Sequence, residues 1–320
     1  MRKRDEFGGH VMARVKKKSR WLQVTGIIIG MILVGIGIYV YTFYTSLTNA
    51  VSVMHEPLKR EISEKRVEEV VFEAKDPLSV LLLGVDEREG DRGRSDTMVL
   101  LTVNPERESI KMISIPRDTR TNIVGHGTVD KINHAYAFGG VEMSIATVEE
   151  FLDVPIDYYM QINMEGFMDI VDALGGVTVY NDLDFYTNGV HFPEGEITLD
   201  GEKALMFSRM RYEDPRGDFG RQYRQRQIIQ AVMKEGASIS SLANFKDIFQ
   251  VLEKNIRTNL AFVEMIDIQK NYKSAVNSVE QIQLSGNGEM INSIYYYIVP
   301  AAEQKRIQQE LKEHLELAGL

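Results

Sequence analysis

The longest apolar segment of this chain lies near its start and decides how the rest can be organised. No charged residue occurs between Trp21 and Met54, and within that stretch residues 24–44 read VTGIIIGMILVGIGIYVYTFY. A run of about 20 apolar or weakly polar residues is long enough for one transmembrane helix. We therefore predict a single membrane-spanning signal-anchor helix over residues 21–45.

The residues that flank the apolar segment predict its orientation. Aromatic side chains of the kind found at membrane interfaces stand at both ends, and a basic cluster precedes the segment: Trp21, Tyr39, Tyr41 and Tyr44; Lys16, Lys17, Lys18 and Arg20. By the positive-inside rule, residues 1–20 form a cytoplasmic basic tail and the chain after about residue 45 is extracellular at the cell membrane. A cleaved signal peptide is the alternative, but the apolar run is too long for a typical one.

The charge balance excludes several classes of function. The chain has 37 Lys and Arg against 46 Asp and Glu, and the basic tail leaves the remainder strongly acidic. General nucleic-acid binding needs a basic surface, so we expect no nucleic-acid partner. The chain contains no cysteine, which excludes disulfides, thiolate metal sites and a cysteine nucleophile.

The remaining chain divides by its pattern of charge and hydropathy. Residues 46–76 are highly charged with broken helical periodicity, and we expect a stalk there. The folded domain begins near Pro77. Short apolar runs with turn residues between them predict strands at 80–85, 98–103, 110–115, 158–162 and 177–180. Helical patterns occur near 130–138, 141–152, 164–174 and 219–234, and Asp200 caps a short helix.

Strands interspersed with helices indicate an α/β fold: a layered α/β/α extracellular domain with a central, mostly antiparallel or mixed sheet. We assign residues 77–236 to a catalytic domain and residues 237–320 to an extension packed on the same domain. In that extension the patterns predict helices near 246–254, 262–274 and 301–316, and a strand pair near 280–284 and 290–298.

Charge is concentrated in four segments at the ends of predicted apolar elements: 84–88 (GVDER), 93–97 (GRSDT), 115–118 (IPRD) and 208–226 (SRMRYEDPRGDFGRQYRQR). Antiparallel neighbours place the exit of one strand beside the entrance of the next, so the first three segments can meet at one sheet edge. In the fourth, extended backbone puts Arg209 and Arg211 on one face. On the following helix, Arg221, Arg224, Gln225 and Ile228 share a face, whereas Arg226 points elsewhere.

One pocket with several guanidiniums and at least two carboxylates suits a particular chemistry. Guanidinium groups bind phosphate bidentately and stay charged, so several of them suit a pyrophosphate. Two carboxylates beside phosphate oxygens suit a hard cation such as Mg²⁺. The alternative is that these residues form ordinary surface ion pairs, and spacing alone does not decide between the two.

The same segments carry a resemblance that extends from about residue 77 to residue 236. The order and spacing of LLLGVDER, RSDTMVLLTVNP, ISIPRDT, KINHAYAFGG, DALGGV and SRMRYEDPRGDFGRQYRQRQ resemble the LytR-CpsA-Psr family of cell-wall polymer ligases. Within that family, the chain looks most like the wall teichoic acid transferases of Gram-positive rods, the polyisoprenyl-teichoic acid–peptidoglycan teichoic acid transferases.

The resemblance implies a phosphotransferase. Such enzymes move an anionic glycopolymer from an undecaprenyl-pyrophosphate carrier to the C6 hydroxyl of N-acetylmuramic acid in peptidoglycan, usually with Mg²⁺. Carried over motif by motif, Asp86 and Asp96 become metal ligands. The pyrophosphate ligands become Arg94, Arg117, Arg209, Arg211 and Arg221, with Gln225 beside them. The residues expected to be catalytic are Asp86, Asp96, Arg117 and Arg209, and Arg88 is a weaker assignment.

Two other functions use the same expected site. A polyprenyl-pyrophosphate-binding regulator would bind the carrier without turnover, although 20 cytoplasmic residues leave no room for a DNA-binding domain. A pyrophosphatase would use water as acceptor in place of peptidoglycan. Teichoic acid, capsule and teichuronic acid all fit the expected donor chemistry.

Overall fold

The computed structural model of the chain describes residues 16–86, 93–237 and 253–317. It divides into two compact units, residues 1–46 and 47–320. Most of the predicted cytoplasmic tail, Arg88, and most of the helix predicted near 246–254 lie outside the described residues.

The described part of the first unit, residues 16–46, is helical and belongs to helix α1 (Lys16–Met54). Many apolar side chains of this part are exposed, among them Ile27, Ile29, Leu33 and Ile36. Within the described portion of the chain, none of the helices combines the length and the apolar content that crossing a bilayer requires. The predicted membrane-spanning helix therefore stays a prediction.

The second unit is built around a six-stranded sheet formed by the described strands. Its first half contains β1 (Leu78–Val85), β2 (Ser95–Asn104), β3 (Ser109–Ser114), β4 (Arg120–Ile123), β5 (Thr128–Lys131), α2 (His134–Leu152), β6 (Tyr158–Ile162) and α3 (Met164–Ala173). There follow β7 (Val177–Asn181), β8 (Phe185–Thr187), β9 (Val190–Phe192), β10 (Gly195–Leu199), α4 (Gly201–Arg209) and α5 (Asp218–Gly236). The last part contains β11 (Ile256–Thr258), α6 (Phe262–Asn271), β12 (Val279–Gln283), β13 (Asn287–Ile291), β14 (Ile294–Ile298) and α7 (Ala301–His314).

The sheet has the order β11-β6-β1-β2-β3-β12. Strand β1 runs antiparallel to β2 and parallel to β6, and β3 runs antiparallel to β2 and parallel to β12. The predicted mixed sheet is thus confirmed. Because neighbouring strands β1 and β2 run in opposite directions, the end of β1 lies beside the start of β2.

Helices cover both faces of the sheet because its central strands are apolar on both sides. On one face, Leu81, Leu83 and Leu100 pack in one buried cluster with residues of α2 and α7. On the other face, Val99 and Met112 pack with residues of α5 and of a short 3₁₀ helix, Lys273–Asn277. Successive residues of a strand point to opposite faces of the sheet, so both apolar faces need a covering layer. The expected α/β/α layering follows from this.

The structure differs from the sequence-based expectation at several elements, and it adds short strands that were not predicted, among them β4 and β11. Strand β5 continues to Lys131, so the helix expected from about residue 130 begins only at His134. Gly140, with φ 68°, then interrupts α2 between the two helices that were predicted. Strands are present near 280–284 and 290–298, but the pairing predicted between them is wrong. Strand β12 joins the central sheet beside β3, where Ile282 reaches the core, and β13 pairs with β14.

Residues 47–76, which we expected to belong to a stalk, contact the domain extensively. Val51 and Met54 are buried with Ile256 of β11. Further along, Arg60 pairs with Glu149 of α2 at 2.6 Å. Other polar contacts from the same segment include those of Ser63 to Glu149 and of Arg66 to Asp157. Several of the charged and polar side chains in this segment are therefore explained by contacts with the domain.

A second, smaller core positions the helices that carry the arginine-rich segment. It contains Phe185, Phe192, Phe207 of α4 and Ile228 of α5, all buried in one cluster. Because α4 and α5 share this core, the chain between them is fixed at both ends.

His314 near the end of α7 predicts how stability changes with pH. Its ring lies between Thr102 Oγ1 at 2.7 Å and Ser109 Oγ at 3.0 Å, and it is buried. Burial, together with the positive charges of Lys111 and Arg107, lowers the pKa of His314 from 6.5 to about 4. The unfolded chain therefore binds more protons between these values, so stability falls as the pH falls from about 7 to about 4. The loss amounts to roughly 3 kcal/mol.

Urea denaturation of the wild type at several pH values measures this loss. We expect His314→Gln to remove most of the slope between pH 4 and 6.5, whereas His126→Gln, at an exposed position, should keep it. An unchanged slope in His314→Gln would show that other groups cause the acid sensitivity.

Candidate anion-binding site

The site lies beside a shift of register in the pairing of β1 with β2. Gly84 faces Thr97 and Val85 faces Ser95, which leaves Asp96 as the extra residue of a β-bulge. Bulges redirect side chains at sheet edges and next to functional sites. A Cβ at Gly84 would lie 2.9 Å from Thr97 Cβ, so this close approach requires glycine.

Asp86 and Arg94 flank the bulge on the two strands. The backbone N–H of Asp86 donates to the carbonyl of Arg94 at 3.4 Å, so the two predicted site residues lie at the same sheet edge as Asp96. The Arg94 side chain is exposed, and Asp86 is half-buried.

Arg117 reaches the bulge from the exit of β3. Its Nη1 lies 3.0 Å from Asp96 Oδ1, and its Nε lies 3.7 Å from Asp118 Oδ2. Lys131 also binds Asp118, at 2.6 Å. The first three charged segments therefore meet, as their positions at neighbouring strand ends predicted.

The start of α5 brings the fourth segment to the same place. Asp218 Oδ1 lies 2.7 Å from Arg221 Nη2 and 3.9 Å from Arg211 Nε. The Nε of Arg221 is buried and has no hydrogen-bond partner among the described residues. Arg211 and Arg221 thus share one carboxylate, and Arg221 keeps an N–H group available for an acceptor.

Electrostatics link the arginines of the different segments into one group. Burial opposes the charge of Arg117, but the carboxylates of Asp96, Asp118 and Asp218 together outweigh it and raise the pKa of Arg117. Burial lowers the pKa of Arg221, and the positive charges of Arg117 and Arg211 lower it further against the attraction of Asp218. We call Arg117, Arg211, Arg221, Asp96 and Asp218 the arginine cluster. Its three guanidiniums exceed its two carboxylates, and Asp118, which also contacts Arg117, is paired with Lys131. The cluster therefore carries spare positive charge.

Arg224 does not join this cluster, contrary to the expectation that it shares a binding face with Arg221. Its side chain is fully buried, with Nη1 2.6 Å from Asp214 Oδ2. It also donates to the carbonyls of Phe207 and Met210 at 3.1 and 2.6 Å. Arg224 is therefore a structural residue that fixes the segment between α4 and α5.

Arg209 and Gln225 occupy the periphery. Arg209 is the last residue of α4, so the backbone becomes extended only at Met210, with φ −59° and ψ 134°. The Arg209 guanidinium lies 3.1 Å from Met164 Sδ and contacts no carboxylate within the described ranges. Gln225 is half-buried on α5, one turn beyond Arg221.

A groove adjoins the arginine cluster and has a volume of about 850 Å³. Arg209 and Arg211 line it together with residues of α4 and of the turn between β8 and β9, including Tyr186, Asn188 and Met206. Arg211 belongs to both the groove and the cluster, so the two are continuous.

The oxygen atoms around Asp96 fit a hard cation. Asp96 and Asp86 supply carboxylates from neighbouring strand ends. Asn133, the residue just before α2, is buried, and its Nδ2 lies 3.5 Å from Asp96 Oδ1. The Asn133 Oδ1 atom has no hydrogen-bond partner in the part of the chain that the structure describes. Mg²⁺ prefers one or two carboxylates and completes its shell with water and phosphate oxygens, and this donor set agrees with that preference.

Sequence reasoning did not assign Asp218 or Asn133 to the site. The spacing of Asp218, one helical turn before Arg221, was a signal for an ion pair. Asn133 is the third residue of KINHAYAFGG, where it would be read as an ordinary helix cap. In the structure its side chain makes no capping hydrogen bond.

Comparisons with known proteins identify the family of the chain. The profile of the LytR_cpsA_psr family matches residues 41–313. This chain belongs to the LytR-CpsA-Psr family. The family expected from the sequence motifs is thereby confirmed.

Individual relatives are similar over almost the whole chain. The polyisoprenyl-teichoic acid–peptidoglycan teichoic acid transferase TagU of Bacillus mycoides is 54% identical over 302 residues, which cover 94% of this chain and 99% of that protein. The crystal structure of B. subtilis TagU has 51% sequence identity and a TM-score of 0.63, and it covers 75% of this chain and 97% of that one. A structure of TagT bound to LI-WTA has 35% identity and a TM-score of 0.70, and it covers 82% of this chain and all of that one.

Proposed function

We propose that this LytR-CpsA-Psr protein is a phosphotransferase that moves an anionic glycopolymer, wall teichoic acid, from a polyprenyl-pyrophosphate carrier to the C6 hydroxyl of N-acetylmuramic acid in peptidoglycan. The observation that carries the proposal is the meeting of Arg117 with Arg211 and Arg221, from two distant segments, where Asp96, Asp118 and Asp218 are the carboxylates in contact with them. The names of the relatives, which are teichoic acid transferases, support the same reaction.

The proposed reaction exchanges one phosphoester bond for another. The acceptor hydroxyl oxygen forms a bond to the phosphorus that carries the glycopolymer, and the hydroxyl proton is released. The bond from that phosphorus to the bridging oxygen of the pyrophosphate breaks, and polyprenyl phosphate leaves with the bond's electrons. The product is a phosphodiester between glycopolymer and peptidoglycan.

The arginine cluster acts on the charge that this exchange develops. Negative charge grows on the leaving phosphate as the bridging bond breaks, and fixed guanidiniums stabilise such charge without having to reorient. Arg117 and Arg221 give up part of their pairing with Asp96 and Asp218 to bind phosphate oxygens. Arg211 holds the pyrophosphate at the mouth of the groove, where the attached saccharide then lies.

We assign Mg²⁺ to the same site. Asp86 and Asp96 would hold it, and Asn133 Oδ1 offers a further oxygen. When bound, the cation supplies positive charge against the phosphate oxygens.

The apolar N-terminal segment supports a place at the cell membrane. A single-pass anchor with a cytoplasmic N-terminus would hold the domain at the outer face, where the lipid carrier and peptidoglycan are both within reach. Protease added to intact protoplasts should then degrade residues after about 50 and spare the basic tail. A protected C-terminus would contradict this placement.

The arginine cluster predicts the behaviour of single substitutions. Each of Arg117→Ala, Arg211→Ala and Arg221→Ala should weaken binding of a polyprenyl pyrophosphate by about 1.5–3 kcal/mol, because a charge-assisted contact is lost. Lysine at these positions should restore only part of the loss, since a point charge cannot reproduce a bidentate contact. The measurement is transfer from a lipid-linked pyrophosphoryl sugar to peptidoglycan fragments, with ligand-induced melting shifts as the binding readout.

Arg306→Ala is the matched control, because Arg306 is exposed on α7 and pairs there with Glu303 and Glu310. It should leave transfer and binding unchanged. Wild-type transfer in all three cluster variants would refute the phosphotransferase assignment. Release of free phosphorylated glycopolymer without peptidoglycan transfer would favour the pyrophosphatase.

The cation assignment predicts a separate effect of Asp96→Asn. This variant should lose Mg²⁺-stimulated transfer and bind Mn²⁺ at least tenfold more weakly in electron paramagnetic resonance titrations, because one carboxylate charge is removed. Asp184→Asn, on an exposed residue beside His191, should behave like the wild type. Unchanged Mn²⁺ affinity in Asp96→Asn would remove Asp96 from the cation site.

A further inference from the structure

A group of exposed aromatic and imidazole rings lies on the β4–β5 hairpin and the start of α2. Its members are His126 and Asp130 of the hairpin and His134 and Phe138 of the helix, and we call these four residues the aromatic patch. Phe138 is 39% exposed, although it is a large apolar side chain. The His126 ring stacks on it, with 3.9 Å between the ring centroids and 10° between the planes.

Contacts within the domain hold the patch in one arrangement. His134 Nδ1 lies 2.8 Å from Asp130 Oδ2, and the Tyr296 hydroxyl donates to Asp130 Oδ1 at 3.3 Å. The His134 ring in turn meets the Phe138 ring edge to face, at a centroid distance of 5.9 Å. Because the Asp130 carboxylate accepts from Nδ1–H, the neutral His134 ring presents Nε2 as a hydrogen-bond acceptor.

The backbone of α2 explains why the two helical members of the patch stand together. His134 and Phe138 are four residues apart, so they lie on the same face of the helix. Gly140, with φ 68°, interrupts the helix two residues later. This left-handed conformation favours glycine. The short helical segment before Gly140 therefore presents the patch as a separate element.

The patch adjoins the arginine cluster through the residue that precedes α2. The Nδ2 of Asn133 lies 3.5 Å from Asp96 Oδ1, and its backbone N–H donates to the carbonyl of Arg117 at 3.3 Å. From the spacing of Cα atoms and the rise of a helix, the Cα of Phe138 lies within about 10 Å of the Cα of Asn133. The groove, in contrast, adjoins the cluster at Arg211.

The proposed reaction needs access for a second substrate. In an in-line displacement, the attacking oxygen and the leaving oxygen lie on opposite sides of the phosphorus. The glycopolymer on the transferred phosphate takes a further direction, which we have assigned to the groove at Arg211. The acceptor therefore needs another exposed face beside the cluster, and the patch offers one near Asp96 and Arg117.

The chemistry of the patch suits a glycan strand of N-acetylhexosamines. A pyranose ring has an apolar C–H face, which an exposed aromatic ring can cover, and polar edges with hydroxyl and acetamido groups. The His134 Nε2 can accept a hydrogen bond from such a group. Arg120 is exposed on β4, and its guanidinium carbon lies 5.8 Å from the centre of the Tyr296 ring. Its positive charge suits the carboxylates of N-acetylmuramic acid and of the attached peptide.

We propose that the aromatic patch is the acceptor-binding site, where a sugar of the peptidoglycan strand stacks on Phe138 and hydrogen-bonds to His134. The inference rests on the proposed function, which supplies the acceptor. Stacking at Phe138 holds the strand so that the C6 hydroxyl of an N-acetylmuramic acid reaches the phosphorus beside Asp96 and Arg117.

The first test measures transfer by Phe138→Ala at several concentrations of a peptidoglycan disaccharide–peptide fragment. The KM for this acceptor should rise about tenfold, because the stacking contact is lost. The kcat should change little, since the contact is the same in the ground state and the transition state. The melting shift with a polyprenyl pyrophosphate should stay at the wild-type value, because that ligand binds elsewhere.

Two further variants serve as controls. Phe138→Tyr keeps the ring and should keep most of the acceptor affinity. Tyr180→Ala removes another exposed aromatic side chain, on β7, and should behave like the wild type. An unchanged acceptor KM in Phe138→Ala would overturn the acceptor site and leave the phosphotransferase proposal intact. Equal weakening of donor and acceptor would also overturn it, because the patch would then not be specific for the acceptor.

A second measurement needs neither turnover nor the alanine variant. The wild type has one tryptophan, Trp21, so Phe138→Trp adds an indole within the patch. Its fluorescence should change when the fragment is added, whereas that of Tyr180→Trp should not. No change in Phe138→Trp at concentrations well above the acceptor KM would overturn the inference. A change in Phe138→Trp, together with no transfer by the wild type, would refute the proposed function and keep the patch as a glycan-binding site.

Discussion

The arrangement of the site depends on the buried ion pair between Arg224 and Asp214. Both side chains are fully buried, and together they fix the chain that runs from the end of α4 to the start of α5. That chain carries Arg211 and Asp218. Gly220 permits the pair to form, because a Cβ at this position would lie 1.9 Å from Asp214 Oδ2. Breaking one partner of such a pair costs about 3–5 kcal/mol, since the other charge stays buried.

A rigid scaffold of this kind lets the protein hold like charges together. Arg117, Arg211 and Arg221 repel one another, and Asp96 and Asp218 compensate only part of their charge. The protein as a whole is acidic, with a net charge of −9. The local excess of positive charge therefore runs against the overall field, and a pyrophosphate is the kind of ligand that would neutralise it.

The sequence predicted the features that depend on residues close together in the chain, namely the positions of strands and helices. Apolar runs located β1, β2 and β3, and their antiparallel order brought Asp86, Asp96 and Arg117 to one edge of the sheet. The helical spacing of Arg221 and Arg224 did not reveal that Arg224 forms a buried ion pair with Asp214. That ion pair depends on how α4 packs against α5. Long-range pairing also explains why β12 was assigned to the wrong partner. Residues 47–76 looked like a stalk because their ion-pair partners, Glu149 and Asp157, lie far along the chain.

A crystal structure of the protein with a polyprenyl pyrophosphate bound tests the central claim most directly. Charge-assisted contacts between guanidinium and phosphate are about 2.7–2.9 Å long. We predict such contacts from Arg117, Arg211 and Arg221 to one pyrophosphate, with the ion pairs of Arg211 and Arg221 to Asp218 weakened or replaced. The account is contradicted if the ligand lies elsewhere while Arg117 keeps its pairing with Asp96 and Arg221 keeps its pairing with Asp218.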